Sequence, residues 1–355
     1  MRNRIKALKA AFRKEFDGYL ITNLINTLYF TDFTGAAAIL VPSEDESILY
    51  VYGVNYEGAK AEAENCRVEL VKRSEDLVKK VAKQIKSLKL KKLGFDTMNV
   101  ETYQKFVKTL RDTAKLEAKS EYVWNLRKVK DKDELKKMRK AAELTVEGMQ
   151  AAYETIKAGH REYEVAAEVE YAMRISGSYG VAFETIVASG SHSAYPHGGC
   201  GERKLETGDL VVVDIGAIYK NYRADMTRTF AVGKPSAKQE KIYTVVRRAQ
   251  EKAFQEMREG AKAAESDAAA RSIIEKEGYG EYFVHGLGHG VGLEVHEQPV
   301  LSPTSKDILK VGNVVTDEPG VYIVGFGGFR IEDTVLVRKD RAERFTRGLY
   351  VLKKS

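Results

Sequence analysis

Residues 205–214 read LETGDLVVVD, and residues 309–318 read LKVGNVVTDE. Each stretch has a leucine, then a glycine three positions on, then an apolar run that closes on a carboxylate six positions after the glycine. A second pair follows at nearly the same separation: residues 222–227 read YRADMT, and residues 329–334 read FRIEDT. Sequence similarity at a fixed spacing points to a duplicated unit. The segments before each copy agree. Asp131 and Glu134 form a helix-capping pattern ahead of an apolar stripe (Leu135, Met138, Ala142, Val146, Met149) that stops at Gly159. Ser236 and Gln239 open a second helical region that runs to about Gly278. Capping residues followed by a 3.6-residue period predict helices. The order is therefore helix, helix, strands, repeated once.

Each copy contributes two acids, Asp214 and Asp225 from the first, Glu318 and Glu332 from the second. The run VVVD reads as a buried strand, and an ionised carboxylate there costs several kcal/mol unless a cation or hydrogen bonds compensate it. Period two puts Arg223 and Thr227 on the face of Asp225, and Arg330 and Thr334 on the face of Glu332. Local ion pairs with those arginines are one way to compensate each acid. The other is metal. Four carboxylates and one imidazole nearly neutralise two dications and leave charge to acidify a water, which is hydrolytic chemistry. Oxygen-rich ligation with one histidine suits Mn, Co, Fe or Zn.

The imidazole comes from HGLGHGVGLEVHEQP, residues 285–299, which holds three of the six histidines. Gly286, Gly288, Gly290 and Gly292 occupy alternate positions, so the stretch is not a helix. Read as extended chain, it places His285, Leu287, His289 and Val291 on one face, and the bare glycine face admits close approach of another backbone.

With 355 residues the chain suggests two domains. Its net charge of +7 is spread among interleaved acids and lysines, which argues for a solvated surface rather than a nucleic-acid partner. Two cysteines in no ligand or redox spacing fit a cytoplasmic protein, and no stretch has the length of a membrane span. The N-terminal run spaces Ile5, Leu8, Phe12 and Phe16 as an amphipathic helix. Residues 18–100 then alternate β-rich runs (GYLIT, TLYFT, AAAILV, ILYVY, KKLGFD) with Lys/Glu-rich helical stretches. The expected division is an α/β domain at 1–122 and an α+β domain with pseudo-twofold halves at 123–355.

From Leu126 onward the motifs PHG (196–198), VVVDIGA, ADMTRTF, HGLGHGVGLEVHE, DEPGVY and FRIEDTV resemble, in order and spacing, those of the pita-bread metallopeptidases, the family of methionine aminopeptidase, aminopeptidase P and prolidase. The N-terminal domain, with NTLYFTDFTG, resembles the creatinase-like domain of the prolidase and aminopeptidase P branches. The resemblance implies that Asp214, Asp225, His289, Glu318 and Glu332 hold two divalent ions, Mn or Co ahead of Zn or Fe, with a bridging hydroxide that attacks the scissile carbonyl. It implies that Glu318 also moves a proton, and that His197 and His296 hold the substrate carbonyl and stabilise the tetrahedral intermediate. It assigns His285 and Arg330 to substrate binding; His192, in SGSHSAYPHG, is a further candidate at the entrance. The expected activity is hydrolysis of Xaa-Pro dipeptides by a homodimer. Aminopeptidase P activity on longer peptides is the nearest alternative, and a non-catalytic binding module the more distant one.

Overall fold

In a computed structural model, which describes residues 3–353, internal contacts divide the chain into two units, Met1–Arg127 and Lys128–Ser355. No helix among the described residues is long and apolar enough to cross a membrane.

The first unit opens with helix α1 (Arg4–Phe12), capped by the Asn3 side chain, which accepts from the Lys6 N–H. It buries Ile5, Leu8 and Phe12, as their spacing predicts. Strand β1 (Gly18–Ile21) is followed by α2 (Leu24–Thr31), β2 (Ala36–Pro42), β3 (Ile48–Tyr52), α3 (Tyr56–Glu62) and β4 (Arg67–Val71). Then come α4 (Leu77–Ser87), β5 (Lys92–Phe95), α5 (Val100–Leu110), β6 (Lys115–Ala118) and α6 (Glu121–Arg127). One mixed sheet runs in the order β4-β3-β2-β1-β5-β6. TLYFT, predicted as a strand, instead closes α2. Asn23 accepts from the N–H groups of Ile25 and Asn26, and this cap commits the chain to a helix that its β-branched and aromatic composition disfavours. Thr27 to Thr31 are all buried, so no polar period marked the helix. Helix α6 runs through residues 122–123 and belongs to the first unit.

The second unit begins with α7 (Lys132–Thr155), whose capping box joins Asp131 and Glu134 as the sequence predicts. Then follow α8 (Glu162–Ile175), β7 (Gly180–Val181), β8 (Ile186–Ser189), β9 (Leu210–Ile215), β10 (Ala217–Tyr219), β11 (Tyr222–Arg223) and β12 (Met226–Ala231). The second copy has α9 (Ala237–Glu256), capped by Ser236 and Gln239, and α10 (Ala263–Lys276). Its strands are β13 (Gly288–Gly290), β14 (Glu297–Leu301), β15 (Val314–Asp317), β16 (Gly320–Ile323), β17 (Gly327–Arg330), β18 (Asp333–Val337) and β19 (Ala342–Arg344). The two halves repeat a helix pair followed by an antiparallel hairpin: β9 pairs with β12, and β15 with β18. Each half has its own core. Val165, Val169, Val211, Val213 and Phe230 fill the first, and Val246, Ile274, Leu287, Val315, Phe329 and Val335 the second. Each such buried side chain stabilises the fold by roughly 1.5–3 kcal/mol. Those cores hold the hairpins rigid, and the acids sit where the hairpins end.

Candidate metal centre

Asp214 lies near the end of β9, opposite Thr227 of β12. Asp225 immediately precedes β12, and Glu318 immediately follows β15. Glu332 precedes β18, and His289 is the middle residue of β13. The glycines around His289 have the role their alternation predicts. A Cβ on Gly288 would fall 2.3 Å from the Thr316 carbonyl oxygen, and one on Gly290 would fall 2.3 Å from that of Gln298. With no side chain on that face, β13 lies against β14 and β15 and delivers the imidazole to the acids.

Ligand atoms of Asp225, His289 and Glu332 lie within 4.8 Å of one another. His289 Nε2 is 3.3 Å from Glu318 and 3.9 Å from Asp225. Its Nδ1 is 3.0 Å from the Gly290 carbonyl, which can only accept, so Nδ1 carries a proton. In the neutral ring Nε2 is then free to ligate. Asp214 joins through Arg330, whose Nη2 donates to it at 2.6 Å. Where local ion pairs were the alternative, the Arg330 guanidinium reaches across to Asp214, and that of Arg223 donates to the Leu293 carbonyl.

The electrostatics show a site short of positive charge. Burial first, then Asp214, pushes Asp225 well above the usual carboxylate range. Burial first, then Asp225 and Glu318, does the same to Glu332. Burial opposes charge on the His289–Glu318 pair, yet their hydrogen bond prevails, raising His289 to about 9 and lowering Glu318 to about 2. The buried Oδ1 atoms of Asp214 and Asp225 accept no hydrogen bond. Acceptors left empty in a carboxylate cluster suit a bound cation, because no hydrogen-bond donor offsets the desolvation of those two oxygens.

A hydrogen-bonded chain flanks the cluster. Arg330 Nη1 donates to the Tyr322 hydroxyl at 2.8 Å, and that hydroxyl is 3.0 Å from His285 Nε2. His285 Nδ1 donates to the Gly286 carbonyl at 2.7 Å, so Tyr322 donates to the other nitrogen of a neutral ring. Burial agrees, holding His285 below its ordinary value and pushing Tyr322 up to about 12. Tyr322 escaped the sequence reading although it ends the DEPGVY motif, four residues after Glu318.

The His296 ring lies 4.2 Å from that of His289. Burial, and next to it His289, hold His296 below its ordinary value; Glu318 opposes the effect and His197 adds to it. His192 points elsewhere. Its Nδ1 is 3.3 Å from both oxygens of Glu162, a fully buried acid that also accepts from Ser189 and Gly201. Its contacts are with that acid and the 195–198 loop rather than the carboxylate cluster.

Carboxylates from two copies of one hairpin, with an imidazole from β13 beside them, form a group that could hold a divalent cation, as hydrolases that activate water do. The chain belongs to metallopeptidase family M24, whose model matches residues 136–339; the model of the creatinase/prolidase N-terminal domain matches residues 4–129. It is 40% identical to a Xaa-Pro dipeptidase of Pyrococcus furiosus over 96% of this chain and 97% of that one. Among solved structures it resembles a Xaa-Pro dipeptidase from Bacillus anthracis, with a TM-score of 0.94 and 38% identity over 99% and 98% of the two chains. It also resembles an X-Pro aminopeptidase from Thermotoga maritima, with a TM-score of 0.87 and 35% identity over 95% and 97%.

Proposed function

We propose that this chain hydrolyses Xaa-Pro dipeptides with two divalent ions held by Asp214, Asp225, His289, Glu318 and Glu332, in a cytoplasmic homodimer. The observation that carries the reading is the cluster itself, with one oxygen each of Asp214 and Asp225, the Oδ1 atoms, left without donors. The names of the similar proteins support the substrate class. Mn or Co is the expected metal, ahead of Zn or Fe.

When bound, the ions supply the charge that acidifies water and polarises a carbonyl. The chain supplies the rest. Asp225 and Glu332, whose ligand atoms lie with that of His289 within 4.8 Å of one another, would help hold the ions, and Glu318 would also take and return a proton. His197 and His296 hold the scissile carbonyl and stabilise the charge that develops on it. The Arg330–Tyr322–His285 chain orients groups around the proline, with Arg330 locked by Asp214 and Tyr322. Both cysteines, Cys66 and Cys200, are free thiols, in keeping with a reducing compartment.

Aminopeptidase P activity is the second reading, favoured by the Thermotoga maritima similarity. The deciding experiment is hydrolysis of Met-Pro, Met-Pro-Ala and Met-Ala by chelator-stripped protein, before and after addition of Mn or Co. Metal-dependent cleavage of Met-Pro alone is the expected result. Preference for the tripeptide would transfer the assignment to aminopeptidase P, and inactivity on all three would overturn both. Light scattering of the purified chain tests the dimer.

A further inference from the structure

Residues 283–287, between the Gly280–Tyr282 turn and β13, carry His285 yet belong to no strand. Phe283 and Leu287 are buried, so the backbone groups of this segment need partners other than water. A pair on α10 that the chemistry above does not use supplies them. Arg271 Nη1 donates to the Phe283 carbonyl at 2.9 Å, and Nη2 donates to the His285 carbonyl at 2.8 Å. Asp267, one helical turn earlier and fully buried, accepts from the Leu287 N–H at 2.9 Å. Alternate residues of an extended chain turn their polar groups to one edge, so α10 stands here where a neighbouring strand would. The pair is itself rigid. Arg271 Nε and Nη2 donate to the two Asp267 oxygens at 2.8 and 3.0 Å, a two-pronged contact that fixes the guanidinium plane. The guanidinium carbon lies 4.1 Å from the centre of the Phe283 ring, and that ring stands at 88° to His285 with centroids 5.1 Å apart.

The His285 imidazole follows its backbone closely, because Nδ1 donates to the carbonyl of the next residue, Gly286, at 2.7 Å. Where the chain stands at residue 285 therefore decides whether Nε2 meets the Tyr322 hydroxyl, now at 3.0 Å. His289 is held separately: β13 pairs with β14 and β15, and the His289 N–H donates to Thr316 Oγ1 at 3.0 Å. We propose that Arg271, held by Asp267, is a positioning residue that fixes the backbone at His285 and so sets the His285–Tyr322 contact, an inference that rests on the reading of His285 as a substrate-binding residue. Without Arg271 the carbonyls of Phe283 and His285 lose these donors, the segment shifts towards other partners, and the imidazole shifts with it.

The test compares wild type, Arg271→Met and the double variant Arg271→Met/Asp267→Asn, as full-length chains loaded with Mn. Arg271→Met removes the donor of both carbonyls and leaves the buried Asp267 carboxylate without its ion-pair partner. The double variant removes that charge and keeps an oxygen for the Leu287 N–H, but gives neither carbonyl its guanidinium back. The urea midpoint should therefore fall in the single variant and recover much of the way in the double one. On Met-Pro, kcat/KM should instead fall by about 100-fold in both, the cost of misplacing a positioning group by about 1 Å, with metal content unchanged. Chain without metal gives a readout that needs no activity: the NOE between the His285 and Tyr322 rings, 5.5 Å apart, should weaken in both variants, while that between His289 and His296, 4.2 Å apart, persists. Wild-type kcat/KM in Arg271→Met, or recovery of kcat/KM along with the urea midpoint in the double variant, would overturn the proposal. So would metal content falling together with kcat/KM, or an undiminished His285–Tyr322 NOE. If wild type fails to cleave Met-Pro, the proposed function falls and the NOE comparison still decides the role of Arg271. If Arg271→Met does not fold, the double variant decides: a weakened His285–Tyr322 NOE with low kcat/KM supports the proposal, and wild-type values of either overturn it.

Discussion

The two hairpins of the second unit are copies, yet they differ on the side away from the metal centre. On the near side they exchange partners. Thr227 of the first hairpin donates to Glu332 of the second at 2.6 Å; Thr334 of the second donates to the Asp225 carbonyl at 2.8 Å and accepts from its N–H at 2.9 Å. On the far side the first hairpin places Met226 and Arg228, and the second, at matching positions, Asp333 and Val335. Arg228, fully buried, donates to the carbonyls of Thr227 and Glu332 and pairs with Asp333 at 2.9 Å. Asp333 also accepts from Gln250, Thr346 and Tyr350. Buried acids here thus differ in what surrounds them. Asp333 has donors. Asp317 faces it across the hairpin; its carboxyl oxygens have no hydrogen-bond partner among the described residues, and burial, opposed by Arg344 and reinforced by Asp333, pushes it well above the usual carboxylate range. Asp225 also has an oxygen without a donor, but it lies with His289 and Glu332 in a group that could hold a cation. The difference teaches that how a buried carboxylate is compensated separates scaffold from site.

The strongest break of that distinction is Asp214→Asn. It should leave the circular dichroism spectrum unchanged while metal retention after gel filtration and turnover of Met-Pro are both lost; retained metal with retained turnover would contradict the ligand assignment. Next in size is Arg228→Leu, which strands Asp333 without its main counter-charge. Urea unfolding of the metal-free chain should show a loss of about 3–5 kcal/mol, the usual cost of removing one partner of a buried pair. A loss below about 1 kcal/mol would mean that Gln250, Thr346 and Tyr350 suffice. His296→Ala sharpens the contrast by touching neither acid set: metal content should hold while kcat falls by about 10²–10³-fold, the effect of deleting one transition-state donor. Full activity would remove His296 from the mechanism.

The smallest effect concerns β19, an edge strand of the second hairpin's sheet. A hydrogen bond from Arg139, opposed by burial and helped by Arg338, lowers Glu343 to about 2. Since the folded value lies below the unfolded one of about 4.3, the contribution is complete above that pH and disappears as the pH falls towards 2. The pair is partly exposed, so the gain is at most about 1 kcal/mol. The melting temperature of wild type should exceed that of Glu343→Gln at pH 7 and converge with it near pH 2; a constant gap would show that packing, not charge, separates them.

The acids, His289 and the glycine face were legible because they sit in repeated or motif-bearing sequence, where local periodicity fixes which way a side chain points. The helix pairs were legible from their caps. Helix α2 was not, because its residues are buried all round and its composition favours strand. The Lys130–Glu297 pair joins residues 167 positions apart, and Arg228–Asp333 joins residues 105 apart. No local pattern announces such partners, since tertiary contact alone decides whether a lysine or arginine is a solvated charge or a buried tie. The threonines were placed on the correct faces, but period two within one strand could not reveal that each serves the other copy.

That exchange has a historical side. A change in either hairpin is felt by the acid of its sibling, so mutations more than a hundred residues apart in sequence should show non-additive effects, as contacting residues do. Once the two copies had come to depend on each other in this way, neither could drift, be shortened or be replaced without its counterpart, and the duplicated gene segment was committed to evolving as one.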